Sequence, residues 1–92
     1  MMVKVRFFAR FRELLGNDIM TDVHQGTMFT PLITTIAQNK PDGYAALFDE
    51  NGAFREFVIL MKNGKRIEIA DAATTPVEDG DEIAVFPPVA GG

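Results

Sequence analysis

The chain has 92 residues, of which 47% are apolar and 24% charged, a balance typical of one small folded domain. It has no cysteine and one histidine, His24. These counts exclude disulfides, a thiol nucleophile and a cysteine-based zinc site, and they argue against a Ser-His-Asp triad. A net charge of −4 with scattered basic residues argues against nucleic acid. With no apolar run of the ~20 residues that span a bilayer and no signal-like start, we predict a cytoplasmic protein without membrane contact.

The first quarter of the chain alternates apolar and polar residues, which is the period of a half-buried strand. The pattern predicts one strand at residues 2–8 and a second at residues 19–23. A short helix is predicted between them, at residues 9–15. Its apolar stripe starts at Phe8 and continues through Phe11, and Gly16 offers the left-handed residue that often ends a helix.

The middle of the chain predicts the principal helix. Thr30 followed by Pro31 is a typical helix start, because a hydroxyl group can cap the free amides and proline fits the first helical position. The helix should end near Asn39, since Pro41 disfavours helical geometry at the residue before it. A shorter helical turn is predicted at residues 44–48.

The last third of the chain predicts three strands. Residues 57–61 form a continuous apolar run, typical of a central strand covered on both faces. Asn63-Gly64 then predicts a tight hairpin, with a return strand that includes Ile67 and Ile69. A last strand at residues 82–86 must end at Pro87. Two strands, a principal helix and three strands predict an α+β fold with a mixed sheet packed on one main helix, the β-grasp architecture.

The residues after the last strand are expected to project from the domain. Pro87 and Pro88 each fix φ near about −65° and favour an extended exit. At roughly 3.3–3.6 Å per residue, the four residues that follow could reach on the order of 13 Å, which is enough to enter a pocket of a partner. We therefore divide the chain into a domain at residues 1–88 and an extended tail at residues 89–92.

The chemistry of the tail is that of its terminal carboxyl group. Gly91 and Gly92 have no Cβ, so a nucleophile can approach the terminal carbonyl from either side. The carboxyl group has a reference pKa of about 3.3–3.7, and at neutral pH it is an anion and a poor electrophile. A partner must activate it, and an acyl-adenylate formed with ATP is the most direct route. The alternative is that the glycines are an ordinary frayed terminus.

Three stretches of the sequence resemble the small subunit of molybdopterin synthase and its archaeal ubiquitin-like relatives. They are the opening strand and helix at residues 5–16, the hairpin at residues 60–65, and the ending Phe-Pro-Pro-Val-Ala-Gly-Gly at residues 86–92, which follows an Asp-Gly-Asp turn. The resemblance implies that a ubiquitin-activating-like enzyme adenylates Gly92 and that a sulfur donor converts it to a thiocarboxylate. It also implies that the catalytic side chains lie on the large synthase subunit.

The resemblance further implies that this chain holds no cofactor or metal of its own and that ATP is used by the activating enzyme. Gly91 and Gly92 would then be the reactive residues. A set of residues around the end of the last strand is implied to bind the partner: Arg12, Phe86, Pro87, Pro88, Val89 and Ala90. Alternatively, Phe86 simply closes the core, and Arg12 is a solvated residue of an amphipathic helix.

Three functions remain open from the sequence. The first is a sulfur carrier that serves as the small subunit of molybdopterin or tungstopterin synthase. The second is a ubiquitin-like modifier joined through Gly92 to lysines of target proteins. The third is a non-covalent β-grasp binding module whose tail is incidental. His24 has no second ligand nearby in the sequence, and we assign it no role.

Overall fold

The computed structural model describes residues 1–88, so the predicted tail lies outside the described residues. The domain contains a five-stranded sheet in the order β2-β1-β5-β3-β4. Its strands are β1 (Met2–Phe7), β2 (Asp18–Asp22), β3 (Ile59–Lys62), β4 (Lys65–Ile67) and β5 (Glu82–Phe86). β1 and β5 are parallel, whereas the other neighbouring pairs are antiparallel. The prediction of a mixed sheet is therefore confirmed.

Within residues 1–88 the helices are α1 (Arg10–Leu15), α2 (Phe29–Ala37), α3 (Pro41–Leu47) and α4 (Ile69–Ala72). The principal helix is confirmed as α2, but its predicted start is wrong. Thr30 does not cap it, because the helix already begins at Phe29 after the extended residue Met28. The amide of Phe29 donates to the carbonyl oxygen of Thr75 at 2.8 Å, so a tertiary contact replaces the side-chain cap.

Two predictions for the last third of the chain are wrong. The strand predicted at residues 57–61 is present as β3, between β5 and β4, but it begins only at Ile59 and is not covered on both faces. Only Leu60 of β3 is buried, and Phe57 is 49% exposed. Ile69 does not continue the return strand either. Pairing ends at Ile67, and the chain turns into α4, which buries Ala72 in the core.

The predicted hairpin between β3 and β4 is confirmed. Asn63 has φ of 52° and Gly64 has φ of 81°, so both central residues lie in the left-handed region. This is the conformation of a type I′ turn, which matches the right-handed twist of the flanking strands. The hairpin lies beside the start of β5, since Lys62 pairs with Ile83.

The helices cover one face of the sheet. On that face β1, β3 and β5 contribute buried residues that pack with helical residues such as Leu15 and Ile33; these strand residues are Val3, Val5, Phe7, Leu60, Ile83 and Val85. The alternate residues of the strands, which are half-buried or exposed, lie on the other face, called here the open face. No helix among the described residues is long and apolar enough to cross a membrane.

Candidate functional site

The last strand before the predicted tail, β5, ends next to the end of β1. Because β1 and β5 are parallel, with Phe7 opposite Val85, both strands end at the same edge of the sheet. The amide of Phe8 donates to the carbonyl oxygen of Val85 at 3.2 Å, which places Phe8 beside the last strand residue. We call the group of residues at this point the tail base: Phe8, Ile59, Phe86, Pro87 and Pro88.

The centre of the tail base is a pair of stacked aromatic rings. The ring centroids of Phe8 and Phe86 are 4.2 Å apart, and the ring planes differ by 9°. Phe86 also pairs with Ile59 of β3, and all three side chains are half-buried. The structure therefore places Phe86 on the open face and not in the buried core. Such a half-buried aromatic surface is typical of the centre of a protein interface.

The chain turns sharply immediately after Phe8. Ala9 has φ of 53° and ψ of −127°, and the amide of Phe11 donates to the carbonyl oxygen of Phe8 at 3.1 Å. These are the features of a tight turn whose first central position favours glycine. The turn lets α1 begin directly at Arg10. As a result α1, with Arg12 exposed on it, starts at the same edge of the sheet as the tail base.

The structure describes part of the predicted partner-binding set. Phe86 and Pro87 are half-buried and Pro88 is exposed at the tail base, and Arg12 is exposed on the neighbouring helix. The remaining members of the predicted site lie outside the described residues: Val89, Ala90, Gly91 and Gly92.

Sequence reasoning missed Phe8 as a member of this site. It included Phe8 both at the end of the first strand and at the start of the apolar stripe of the first helix, whereas Phe8 lies between β1 and α1. The alternation of buried and exposed side chains in β1 already indicates the face on which Phe8 lies. Val3, Val5 and Phe7 are buried, so the next side chain points to the open face. Only the parallel pairing with β5 shows that this side chain meets Phe86.

The opposite end of β5 is held by a buried carboxylate. Asp81 is 7% exposed and accepts hydrogen bonds from the side-chain amide of Asn63 at 2.8 Å and from the backbone amide of Glu78 at 2.7 Å. The Lys62 ammonium lies 3.6 Å from the same carboxylate. Burial alone would raise the pKa of Asp81, but the two hydrogen bonds and the charge of Lys62 outweigh burial and lower that pKa below its usual value.

We call Lys62, Asn63, Glu78 and Asp81 the β5 anchor. The side-chain oxygen of Asn63 also accepts a hydrogen bond from the Glu82 amide at 2.9 Å, so the hairpin turn is tied to the first residue of β5. Ordinary turn chemistry accounts for the Asp-Gly-Asp sequence only in part. Asp81 is also a structural residue that fixes where β5 begins.

Comparison with known proteins identifies the family. The sequence profile of the ThiS family matches residues 5–92. Small archaeal modifier protein 3 of Haloferax volcanii is 36% identical over 93 residues, covering 100% of both chains. The molybdopterin synthase sulfur carrier subunit of Escherichia coli is 33% identical over 95 residues, covering 99% of this chain and 100% of that subunit.

Solved structures agree with the sequence comparison. The crystal structure of SAMP1 from Haloferax volcanii has a TM-score of 0.86 and 24% identity, covering 100% of both chains, and it shows the same fold. A chain in the protein–protein complex of subunits 1 and 2 of molybdopterin-converting factor from Helicobacter pylori matches with a TM-score of 0.61 and 30% identity, again over 100% of both chains. This chain therefore belongs to the ThiS family, the β-grasp, ubiquitin-like family of sulfur carriers and small modifiers.

Proposed function

We propose that this protein is a sulfur carrier and the small subunit of a molybdopterin or tungstopterin synthase, with sulfur held as a thiocarboxylate at Gly92. The observation that carries the proposal is the family match through residue 92, because it includes the tail with Gly91 and Gly92. The Escherichia coli relative that bears the name molybdopterin synthase sulfur carrier subunit supports the choice of pathway.

The proposed chemistry takes place on the carboxyl group of the tail. In a ubiquitin-activating-like enzyme, a carboxylate oxygen of Gly92 attacks the α-phosphorus of ATP, and pyrophosphate leaves. Hydrosulfide released by a sulfur donor then attacks the acyl-adenylate carbonyl, the C–S bond replaces the C–O bond to the phosphate, and AMP leaves; loss of the sulfur-bound proton gives the thiocarboxylate. The chain has no cysteine, so it has no thiol of its own that could compete in this step. ATP is a substrate of the activating enzyme, and the catalytic side chains for sulfur insertion belong to the large subunit.

The tail base supports the proposal because it offers a surface on which a large subunit can dock. Phe86, Phe8 and Ile59 present half-buried apolar groups on the open face, where Met61 and Ala84 continue the apolar surface along β3 and β5. Binding energy in interfaces concentrates in such aromatic clusters surrounded by polar residues. Arg12 would contact the partner at the margin of this surface, while Val89, Ala90 and Gly91 would enter its pocket with Gly92.

A second function, protein modification, is favoured by the 36% identity to a small archaeal modifier protein. It needs the same activation of Gly92. A lysine amine of a target protein would then attack the acyl-adenylate carbonyl, forming an isopeptide bond and releasing AMP. The two functions diverge at the acyl-adenylate, which a sulfur nucleophile attacks in the first function and a lysine amine attacks in the second.

Mass spectrometry of the C-terminal peptide, isolated under denaturing conditions from the native cells, tests both functions. We expect a species in which sulfur replaces one oxygen at Gly92. A peptide joined instead to lysines of other proteins would make the protein a modifier. Two results together would leave only the non-covalent binding module. Neither species would be detected, and removal of Gly91 and Gly92 would have no consequence in the cells. A chain that lacks these two glycines is the matched control.

A further inference from the structure

Arg6 lies on the open face of β1, and three groups surround its guanidinium. Nε donates to Oδ1 of Asp18 on β2 at 3.0 Å, and Nη1 donates to Oε1 of Glu82 on β5 at 3.1 Å. Cζ lies 5.4 Å from the centroid of the Phe8 ring. One side chain therefore connects three adjacent strands with the aromatic stack of the tail base.

These contacts fix the orientation of the Arg6 guanidinium and contribute little to the free energy of folding. The Arg6 side chain is 40% exposed, and ion pairs of that exposure are individually weak. However, two carboxylates that bind different nitrogens of a planar guanidinium leave it one orientation. The hydrogen bonds from Arg6 to Glu82 and Asp18 also raise the pKa of Arg6 above its ordinary value, so the group stays charged. The cation is thus held close to the Phe8 ring.

The guanidinium favours the ring arrangement at the tail base. Phe8 and Phe86 stack almost parallel at a short centroid distance of 4.2 Å, where the negative faces of two bare rings repel each other. A cation near Phe8 attracts its π electrons and weakens that repulsion. Glu82 and Phe86 are four residues apart on the same face of β5. Arg6 therefore restrains β5 directly at Glu82 and, through Phe8, at Phe86.

We infer that Arg6 is a positioning residue that orients Phe86, and with it the direction in which Pro87 and Pro88 leave the sheet. The inference rests on the proposed function, because a defined tail direction matters only if a partner must take up the tail. A tail base ordered before binding removes part of the entropy cost of docking. Loss of Arg6 should therefore weaken recognition by the activating enzyme and leave the chemical step at Gly92 unchanged.

The kinetic test measures adenylation of Gly92 by the ubiquitin-activating-like enzyme of the same cells, as ATP–pyrophosphate exchange. Arg6→Leu should raise KM about threefold to tenfold, with kcat changed less than about twofold. Arg6→Lys keeps the positive charge, but an ammonium group cannot bind both carboxylates in the fixed planar geometry of a guanidinium. Its KM should lie between those of the unmodified chain and Arg6→Leu. Lys4→Leu is the matched control, because it removes the other cation on the open face of β1, leaves the contacts of Arg6 to Asp18, Glu82 and Phe8 in place, and should behave like the unmodified chain.

A second measurement is independent of the enzyme. The aromatic proton resonances of Phe8 and Phe86 report the ring stack through ring-current shifts, and we expect Arg6→Leu and Glu82→Gln to move them while Lys4→Leu does not. Unchanged shifts in Arg6→Leu, or a rise in KM that is equal in Lys4→Leu, would overturn the inference. If the unmodified chain is not adenylated at all, the proposed function fails, and the resonance shifts alone decide whether Arg6 orients the tail base.

Discussion

The two ends of β5 are held by different kinds of contact. At its start, the buried carboxylate of Asp81 is hydrogen-bonded to Asn63 and Glu78. At its end, Phe86 is half-buried against Phe8 and faces the open side of the sheet. A buried polar network fixes one geometry, whereas a half-buried aromatic pair leaves surface for a partner. We therefore expect substitutions in the β5 anchor to change stability, and substitutions at the tail base to change partner binding.

Removal of Gly91 and Gly92 should have the largest effect on function with the smallest effect on stability. Sulfur loading and conjugation should fall to background, because the reactive carboxyl group is lost. We expect the melting temperature to stay within error of the unmodified chain, since residues 1–88 by themselves contain a cluster of buried apolar side chains. Thermal unfolding and C-terminal mass spectrometry check the two halves of this prediction. Activity that survives the deletion would support the non-covalent binding module.

Asp81→Ala should cause the largest loss of stability outside the apolar core, about 3 kcal/mol in the free energy of unfolding. The substitution leaves the side-chain amide of Asn63 and the backbone amide of Glu78 without their acceptor. It also removes the negative charge beside the Lys62 ammonium, which keeps its hydrogen bond to the carbonyl oxygen of Pro76. Urea unfolding measures the change. Glu78→Ala is the control in the same turn and should cost less than about 0.5 kcal/mol, because Glu78 takes part in the β5 anchor through its backbone amide, which the substitution keeps.

Phe86→Ala should weaken binding to the large subunit by about 2 kcal/mol, or roughly thirtyfold, with a smaller loss of stability. The reason is that the aromatic surface at the tail base loses its central ring. Calorimetric titration of the purified large subunit measures the affinity. Met20→Ala removes an exposed apolar side chain from β2 on the same open face and should leave the affinity unchanged. Equal losses in both variants would mean that the partner contacts the whole open face.

Ala9→Gly should raise the free energy of unfolding by about 0.5–1 kcal/mol. Ala9 has φ of 53°, which glycine adopts without the Cβ penalty, and this gain should exceed the added entropy of the unfolded chain. The same variant allows the turn before α1 more conformations, so partner affinity should fall slightly. Urea unfolding measures the expected gain in stability, and the calorimetric titration described for Phe86→Ala measures the expected loss of affinity. A loss of stability would show that Ala9 is not strained.

The weakest expected effect is a change in the acid dependence of stability. The pKa of Asp81 is lower in the folded chain than its usual value, so its contribution is complete above the unfolded-state pKa of about 3.9 and is lost as pH falls through the folded-state pKa. Asp81→Asn should therefore flatten the decline of stability below about pH 4. If stability declines as steeply in Asp81→Asn as in the unmodified chain, other carboxylates cause the acid unfolding.

The sequence predicted the elements whose signals are local. The period of two in β1 and β5, the Asn63-Gly64 turn and the apolar stripe of α2 each lie within a few neighbouring residues, and all are present in the structure. The wrong predictions share a different property. The start of α2 depends on Thr75, and the burial of residues 57–61 depends on their place in the sheet. In each case a distant contact overrides local preference.

The sequence by itself determined the fold class, the order of the principal elements and the Gly-Gly ending with its family resemblance, because periodicity, turn residues and motifs are written in consecutive positions. Only the tertiary structure decided that β5 is the central strand, that Phe8 stacks on Phe86 and that Asp81 is buried. These facts depend on which strands become neighbours. Pairing joins residues nearly eighty positions apart, and no local pattern in the chain specifies that partner.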